Sequence, residues 1–94
     1  MDTTEAKQDQ EAIRAAIEAR RFSAAMKRAL RRLLDGESYR QAAADEGVGY
    51  RELHRNAATV DGLRSAHLQA WRDGWGKAFP AVWQQHVRDL DEAE

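Results

Sequence analysis

The chain has 94 residues, a formal net charge of −1 and no cysteine. A chain of this length forms one small domain, so we expect a single unit over residues 1–94. The lack of cysteine excludes disulfides and thiolate metal sites, and no apolar stretch reaches the roughly 20 residues of a membrane span, so we expect a cytoplasmic protein.

Alanine, arginine, glutamate and leucine are abundant, and all four favour helices, which predicts an all-α fold. Residues 1–9 are polar, and we expect them to be frayed. A first amphipathic helix is expected from about Asp9, with Ile13 and Ile17 on its apolar face. Ser23 is the predicted N-cap of a second helix, which ends where Gly36 can take a left-handed conformation.

Two short helices are predicted next. Ser38 begins a capping box, Ser-x-x-Gln, and the helix that follows it stops at Gly47. Small residues such as Ala43 let this helix pack closely on its neighbours, and Val48 anchors the turn. Gly49 can cap the next helix, in which Leu53 points inward.

The C-terminal third carries one or two more helices. One begins at Thr59 or Asp61, and Pro80 either kinks it or starts a fifth helix. The acidic residues 89–94 are expected to be disordered. The overall prediction is a small bundle of about five helices that contains a helix-turn-helix.

Two short helices joined by a glycine turn are the core of a helix-turn-helix. Residues 23–58, which read SAAMKRALRRLLDGESYRQAAADEGVGYRELHRNAA, resemble the DNA-binding helix-turn-helix of bacterial sigma-factor region four and related response-regulator and repressor domains. The motif itself spans about residues 38–58. The sequence departs from the family pattern at Glu46 and Asn56, where such motifs place aliphatic residues.

The resemblance implies that the helix starting near Tyr50 enters the major groove of DNA. Arg51 and Arg55 lie four residues apart, hence on one helix face, and are the predicted base readers, because arginine binds guanine through two parallel hydrogen bonds. The other residues expected at the DNA are Ser38, Tyr39, Arg40, Gly49, Tyr50, His54, Arg28 and Arg32.

The basic residues are concentrated in one stretch. Residues 20–40 contain seven basic and two acidic side chains, a net charge of +5, and this charge would attract DNA phosphates without sequence preference. The alternative interpretation of Arg51 and Arg55 is a pair of solvated helix charges, with Glu52 and Asp45 nearby as pairing options. The alternative for the cluster Lys27, Arg28, Arg31 and Arg32 is a solubilising face.

Large apolar side chains cluster near the C-terminus, and they either fill the core or form a dimer interface. Because small helix-turn-helix proteins usually bind DNA as two-fold dimers, we expect a homodimer formed through residues 61–90. The predicted interface residues are Trp71, Trp75, Phe79, Trp83 and Val87. The three histidines show no metal-ligand spacing, so His67 and His86 are expected to be packed or at the surface.

These patterns predict a bacterial or phage transcriptional regulator, most simply a repressor, that binds double-stranded DNA. No catalytic residues, metal, cofactor, small-molecule ligand or membrane is expected. One alternative is a phage DNA-packaging factor similar to a terminase small subunit, which would form rings. Another is a small protein-interaction or inhibitor module that does not bind DNA.

Overall fold

The computed structural model describes the backbone of residues 3–76 and 80–92, and the side chains of residues 9–74, 81 and 84–92. These residues form helices and no strands, which confirms the all-α prediction. In chain order the helices are α1 (Thr3–Ala19), α2 (Ala24–Leu34), α3 (Tyr39–Glu46), α4 (Tyr50–Ala57), α5 (Leu63–Trp71), a π-helical segment (Arg72–Gly76) and α6 (Pro80–Glu92).

The described residues form six α-helices, so the predicted count of about five was wrong. Pro80 starts a separate helix rather than bending a longer one. Proline is well suited to the first position of a helix, because the N–H that it lacks has no partner there. No helix in the described part of the chain combines the length and the apolar character needed to cross a membrane.

Both outer helices are longer than expected. The first begins at Thr3 rather than near Asp9, because the segment 3–8 is rich in good helix formers. The last helix continues to Glu92, so the prediction of disorder from residue 89 was wrong for residues 89–92. Asp89 and Asp91 in its final turns are held by arginines of other helices, which stabilises this end.

The core is built around α2. Ala29, Leu30 and Leu33 on its apolar stripe are fully buried. The helix begins where predicted, since the Ser23 hydroxyl accepts a hydrogen bond from the Met26 N–H at 3.1 Å. Ile17 from α1 completes this centre, so the periodicity of the sequence identified the buried faces of both helices.

The turn between α3 and α4 depends on a glycine. Gly47 has a φ of +68°, a left-handed conformation that suits glycine because it has no Cβ. The Val48 N–H donates to the Ala43 carbonyl at 3.1 Å and closes the turn. Ala43 is buried where α3 packs, and Leu53 of α4 is fully buried. Val48, which was expected to be buried, is half-buried.

A second glycine allows α2 and α5 to approach closely. Gly36 has a φ of +95°, and a Cβ at this position would lie 3.3 Å from the carbonyl oxygen of Ala70. The contact brings the end of α2 next to the end of α5. It therefore helps to position α5 on α2.

Candidate functional site

The exposed face of α4 carries two arginines. Arg51 and Arg55 are both exposed, one helical turn apart, and neither makes an ion pair with any residue that the structure describes. Leu53 and Ala57 are buried on the opposite side and attach the helix to the core. The two guanidinium groups are thus presented to solvent from a helix whose orientation is fixed.

Aromatic rings fix α4 against α3. The Tyr39 and His54 rings stack with centroids 3.8 Å apart, and Tyr50 contacts His54 edge-on at 4.6 Å. Burial raises the pKa of Tyr39 to about 12 and lowers the pKa of His54 to about 4, so both are neutral at pH 7. The Tyr50 and His54 side chains were predicted to face DNA, but both are half-buried, and Tyr39, expected to contact phosphate through its backbone N–H, has a buried side chain.

His54 carries a buried ring nitrogen without a partner. Its Nε2 atom makes no hydrogen bond to any described residue. A buried polar atom in this state costs stability, about 1–3 kcal/mol. The His54 ring packs against both tyrosines instead of facing outward as expected.

The start of α3 carries the predicted cap. The Ser38 hydroxyl accepts a hydrogen bond from the Gln41 N–H at 3.1 Å, as the capping box predicts. The Gln41 side chain instead donates to Asp45 at 2.7 Å. Gly49 is exposed and caps α4 without a side-chain bond.

Arg40 is exposed but bound to α6. Its Nε donates to Asp89 Oδ2 at 3.0 Å, and its guanidinium lies 4.8 Å from the centre of the Tyr50 ring. The hydrogen bond from Arg40 lowers the pKa of Asp89, and the same bond raises the pKa of Arg40. The predicted phosphate-binding arginine therefore already has an anionic partner.

A cavity of about 760 Å³ separates α4 from the end of α6. Arg51 and Arg55 line one side, and Asp89 and Glu92 line the other. Arg64 of α5 also lines it and donates to Asp91 at 3.2 Å. Sequence reasoning missed Arg64 and the acidic wall, because α3, α4, α5 and α6 meet only in the folded chain. The acidic sequence of residues 89–92 was the available signal.

The basic surface of α2 is largely neutralised. Glu46 accepts hydrogen bonds of 2.7 Å from both Arg28 and Arg32, and its side chain is only 10% exposed. These bonds lower the pKa of Glu46. Arg32 also bonds Glu37 at 3.0 Å and Asp45 at 3.1 Å. Glu46, where an aliphatic residue was expected, thus joins α3 to α2. Arg28 and Arg32, which were predicted to contact DNA, instead bind this glutamate.

One of the predicted dimer residues lies in the core. Trp71 is 4% exposed, and its ring stacks on His86 with centroids 4.7 Å apart. Val87 is half-buried. The side chains of Trp75 and Trp83, and the whole of Phe79, lie outside the described residues.

A buried histidine pair joins α5 to α6. The Nδ1 of His67 lies 2.8 Å from the Leu33 carbonyl, and its Nε2 lies 2.5 Å from Nε2 of His86. Since a carbonyl only accepts, the neutral His67 donates from Nδ1 and accepts from His86. Burial lowers the pKa of His67 to about 4 and also lowers the pKa of His86.

The described residues therefore place one exposed arginine pair on α4, next to a cavity with both basic and acidic walls. No group of three or more histidine, aspartate or glutamate side chains within this part of the chain could hold a metal ion. In comparisons with known proteins, no family model, curated protein or solved structure matches the chain.

Proposed function

We propose that the chain is a helix-turn-helix protein that binds double-stranded DNA through α4 and regulates transcription, most simply as a repressor of bacterial or phage type. The observation that supports this most is the exposed pair Arg51 and Arg55 on a short helix that follows a tight turn. In this proposal α4 lies in the major groove and the pair reads guanine.

The ion pairs reduce the number of arginines that we expect to contact DNA. Arg28 and Arg32 are held by carboxylates, so the basic stretch of α2 contributes little free charge. Each neutralised phosphate adds about 0.9 to the slope of log affinity against log salt. We therefore expect salt-dependent binding with a shallower slope than seven unpaired basic residues would give.

Selection from a pool of duplex DNA, followed by fluorescence anisotropy across a salt series, tests the proposal. Arg51→Ala/Arg55→Ala is compared with Arg21→Ala/Arg72→Ala, which removes the same charge from two exposed arginines outside the motif. A bidentate arginine–guanine contact is worth about 1–3 kcal/mol, or roughly 5- to 140-fold in affinity per residue.

The first double variant should lose affinity for the selected sequence and keep weak binding to unrelated duplexes. The control should keep the sequence preference. Equal losses in the two double variants would show that only net charge matters, and α4 would not be a recognition helix. Circular dichroism verifies that each variant retains its helices.

We also propose that the protein binds DNA as a homodimer formed through residues 61–90. Trp71 is buried within the monomer. Among the described side chains, Val87 is therefore the predicted interface residue that remains half-exposed. Sedimentation equilibrium tests the stoichiometry. A dimer supports a regulator, a ring of many copies favours a packaging factor, and a monomer at high micromolar concentration contradicts the proposal.

A protein-interaction module is the second candidate, and the acidic end of α6 favours it. Asp89 and Asp91 form ion pairs with Arg40 and Arg64, so anionic groups already lie beside the surface where DNA would bind. Absence of DNA binding even at low salt would favour this candidate over a regulator.

A further inference from the structure

We propose that the cavity between α4 and α6 binds a small phosphorylated organic molecule of mononucleotide size. This inference goes beyond DNA binding and does not depend on it. The cavity volume of about 760 Å³ lies within the range of small-molecule sites, roughly 300–1,000 Å³.

The charge of the cavity suits a phosphate monoester. Four arginines line it, which are Arg40, Arg51, Arg55 and Arg64, together with the carboxylates of Asp89 and Glu92. Asp91, which pairs with Arg64 beside the cavity, adds a third negative group, so four positive and three negative groups leave a net charge of +1. A phosphate monoester carries about −1.5 to −2 at pH 7, so it would neutralise this excess.

Two of the arginines are available as donors. Arg51 and Arg55 make no ion pair with the described residues, and guanidinium groups bind phosphate through paired, charge-assisted hydrogen bonds. Arg40 and Arg64 are held at 3.0 and 3.2 Å by carboxylates of α6. These ion pairs restrict both side chains in advance, so a ligand that contacts them loses less conformational entropy on binding.

The wall beside the arginines suits an aromatic or sugar-like group. Tyr50 is half-buried with Arg40 against its ring, and the exposed Ala58 adds apolar surface to the same cavity, with the buried Leu90 beneath it. Bases stack on tyrosine rings and on guanidinium planes. A mononucleotide can therefore use both the charge and the flat surface, whereas inorganic phosphate can use only the charge.

Isothermal titration calorimetry with adenosine monophosphate, inorganic phosphate and adenosine tests the inference. We expect saturable binding of the monophosphate, weaker binding of phosphate and none of adenosine. Arg55→Gln and Arg64→Gln should each lower affinity about tenfold or more, the loss expected for a charge-assisted hydrogen bond. Arg21→Gln, which removes an exposed charge outside the cavity, is the matched control.

Glu92→Gln provides a test in the opposite direction. Glu92 is exposed and lines the cavity, so removing its charge should raise affinity for the monophosphate severalfold. A variant that binds more tightly cannot be explained by unfolding. If Glu92→Gln binds the monophosphate no more tightly than the wild type, or if Arg21→Gln loses as much affinity as Arg64→Gln, the assignment of the binding site to this cavity is wrong.

The titrations contain no DNA, so a failure of DNA binding does not affect them. Binding of the monophosphate without DNA binding would support the cavity and contradict the regulator. A protein that binds duplex DNA but gives no saturable signal with millimolar monophosphate would use these arginines for backbone phosphates alone, which overturns the inference. Equal affinity for inorganic phosphate and adenosine monophosphate would show that the cavity does not recognise the organic part of the ligand, which overturns that part of the inference.

Discussion

Mild acid is expected to destabilise this domain through its buried histidines, of which His67 is fully buried. Burial lowers the pKa of His67 from 6.5 to about 4. Between these two values the unfolded chain binds a proton that the folded chain does not, so stability present above about pH 6.5 is lost as the pH falls toward 4. Each pH unit in this window removes about 1.4 kcal/mol, which gives about 2 kcal/mol between about pH 6.5 and pH 5.

The pH window separates the carboxyls from His67, whereas the other two buried histidines titrate in the same window and are separated from it only by the His67 variant. The pKa values of His54 and His86 are also lowered by burial, so these histidines act in the same direction. The carboxyls of Glu46 and Asp89 have lowered pKa values, and the stability that they contribute is lost only at more acidic pH. A domain of this size is stable by about 5–15 kcal/mol, so a loss of about 2 kcal/mol is measurable.

Urea unfolding followed by circular dichroism at about pH 7, 6 and 5 measures this loss, with His67→Gln as the comparison. The glutamine amide can donate to the Leu33 carbonyl and accept from His86, but it does not titrate. The variant should lose about 2 kcal/mol less than the wild type over this range. An identical pH dependence, or a His67 pKa near 6.5 by NMR titration, would refute the reasoning.

Three further predictions concern the turn, the core and the ion pairs, each measured by urea or thermal unfolding. Gly47→Ala should lower the free energy of unfolding by roughly 1–2 kcal/mol, because residue 47 has a φ of +68° even though no other atom would contact the added Cβ. Gly74→Ala should not lower it, because a Cβ there also meets no atom and the φ is not positive. Leu53→Ala, at a fully buried position, should cost about 2–5 kcal/mol, and a smaller loss would mean that α4 is loosely attached. Glu46→Gln should lower the melting temperature and Glu52→Gln should not; equal effects would contradict the role of Glu46 in joining α3 to α2.

The local features of the fold were predictable from sequence. Ser23 and Ser38 cap helices through hydroxyls that reach a backbone N–H three residues further on, and the left-handed turn at Gly47 depends on a missing Cβ. The exposure of Arg51 and Arg55 followed in the same way from their position opposite Leu53. Each of these properties is set by residues within about one helical turn, which a sequence displays directly.

The partners of the charged and polar side chains were decided by the tertiary structure. Nothing near Arg40 in the sequence indicates Asp89, which is 49 residues away, and His67 and His86 are separated by 19 residues. The basic stretch of α2 looked free in the sequence because Glu46 comes beside it only when α3 folds back. Whether a charge stays free, pairs or loses its proton depends on which helices meet around it, because burial and neighbouring charges are properties of the packed molecule.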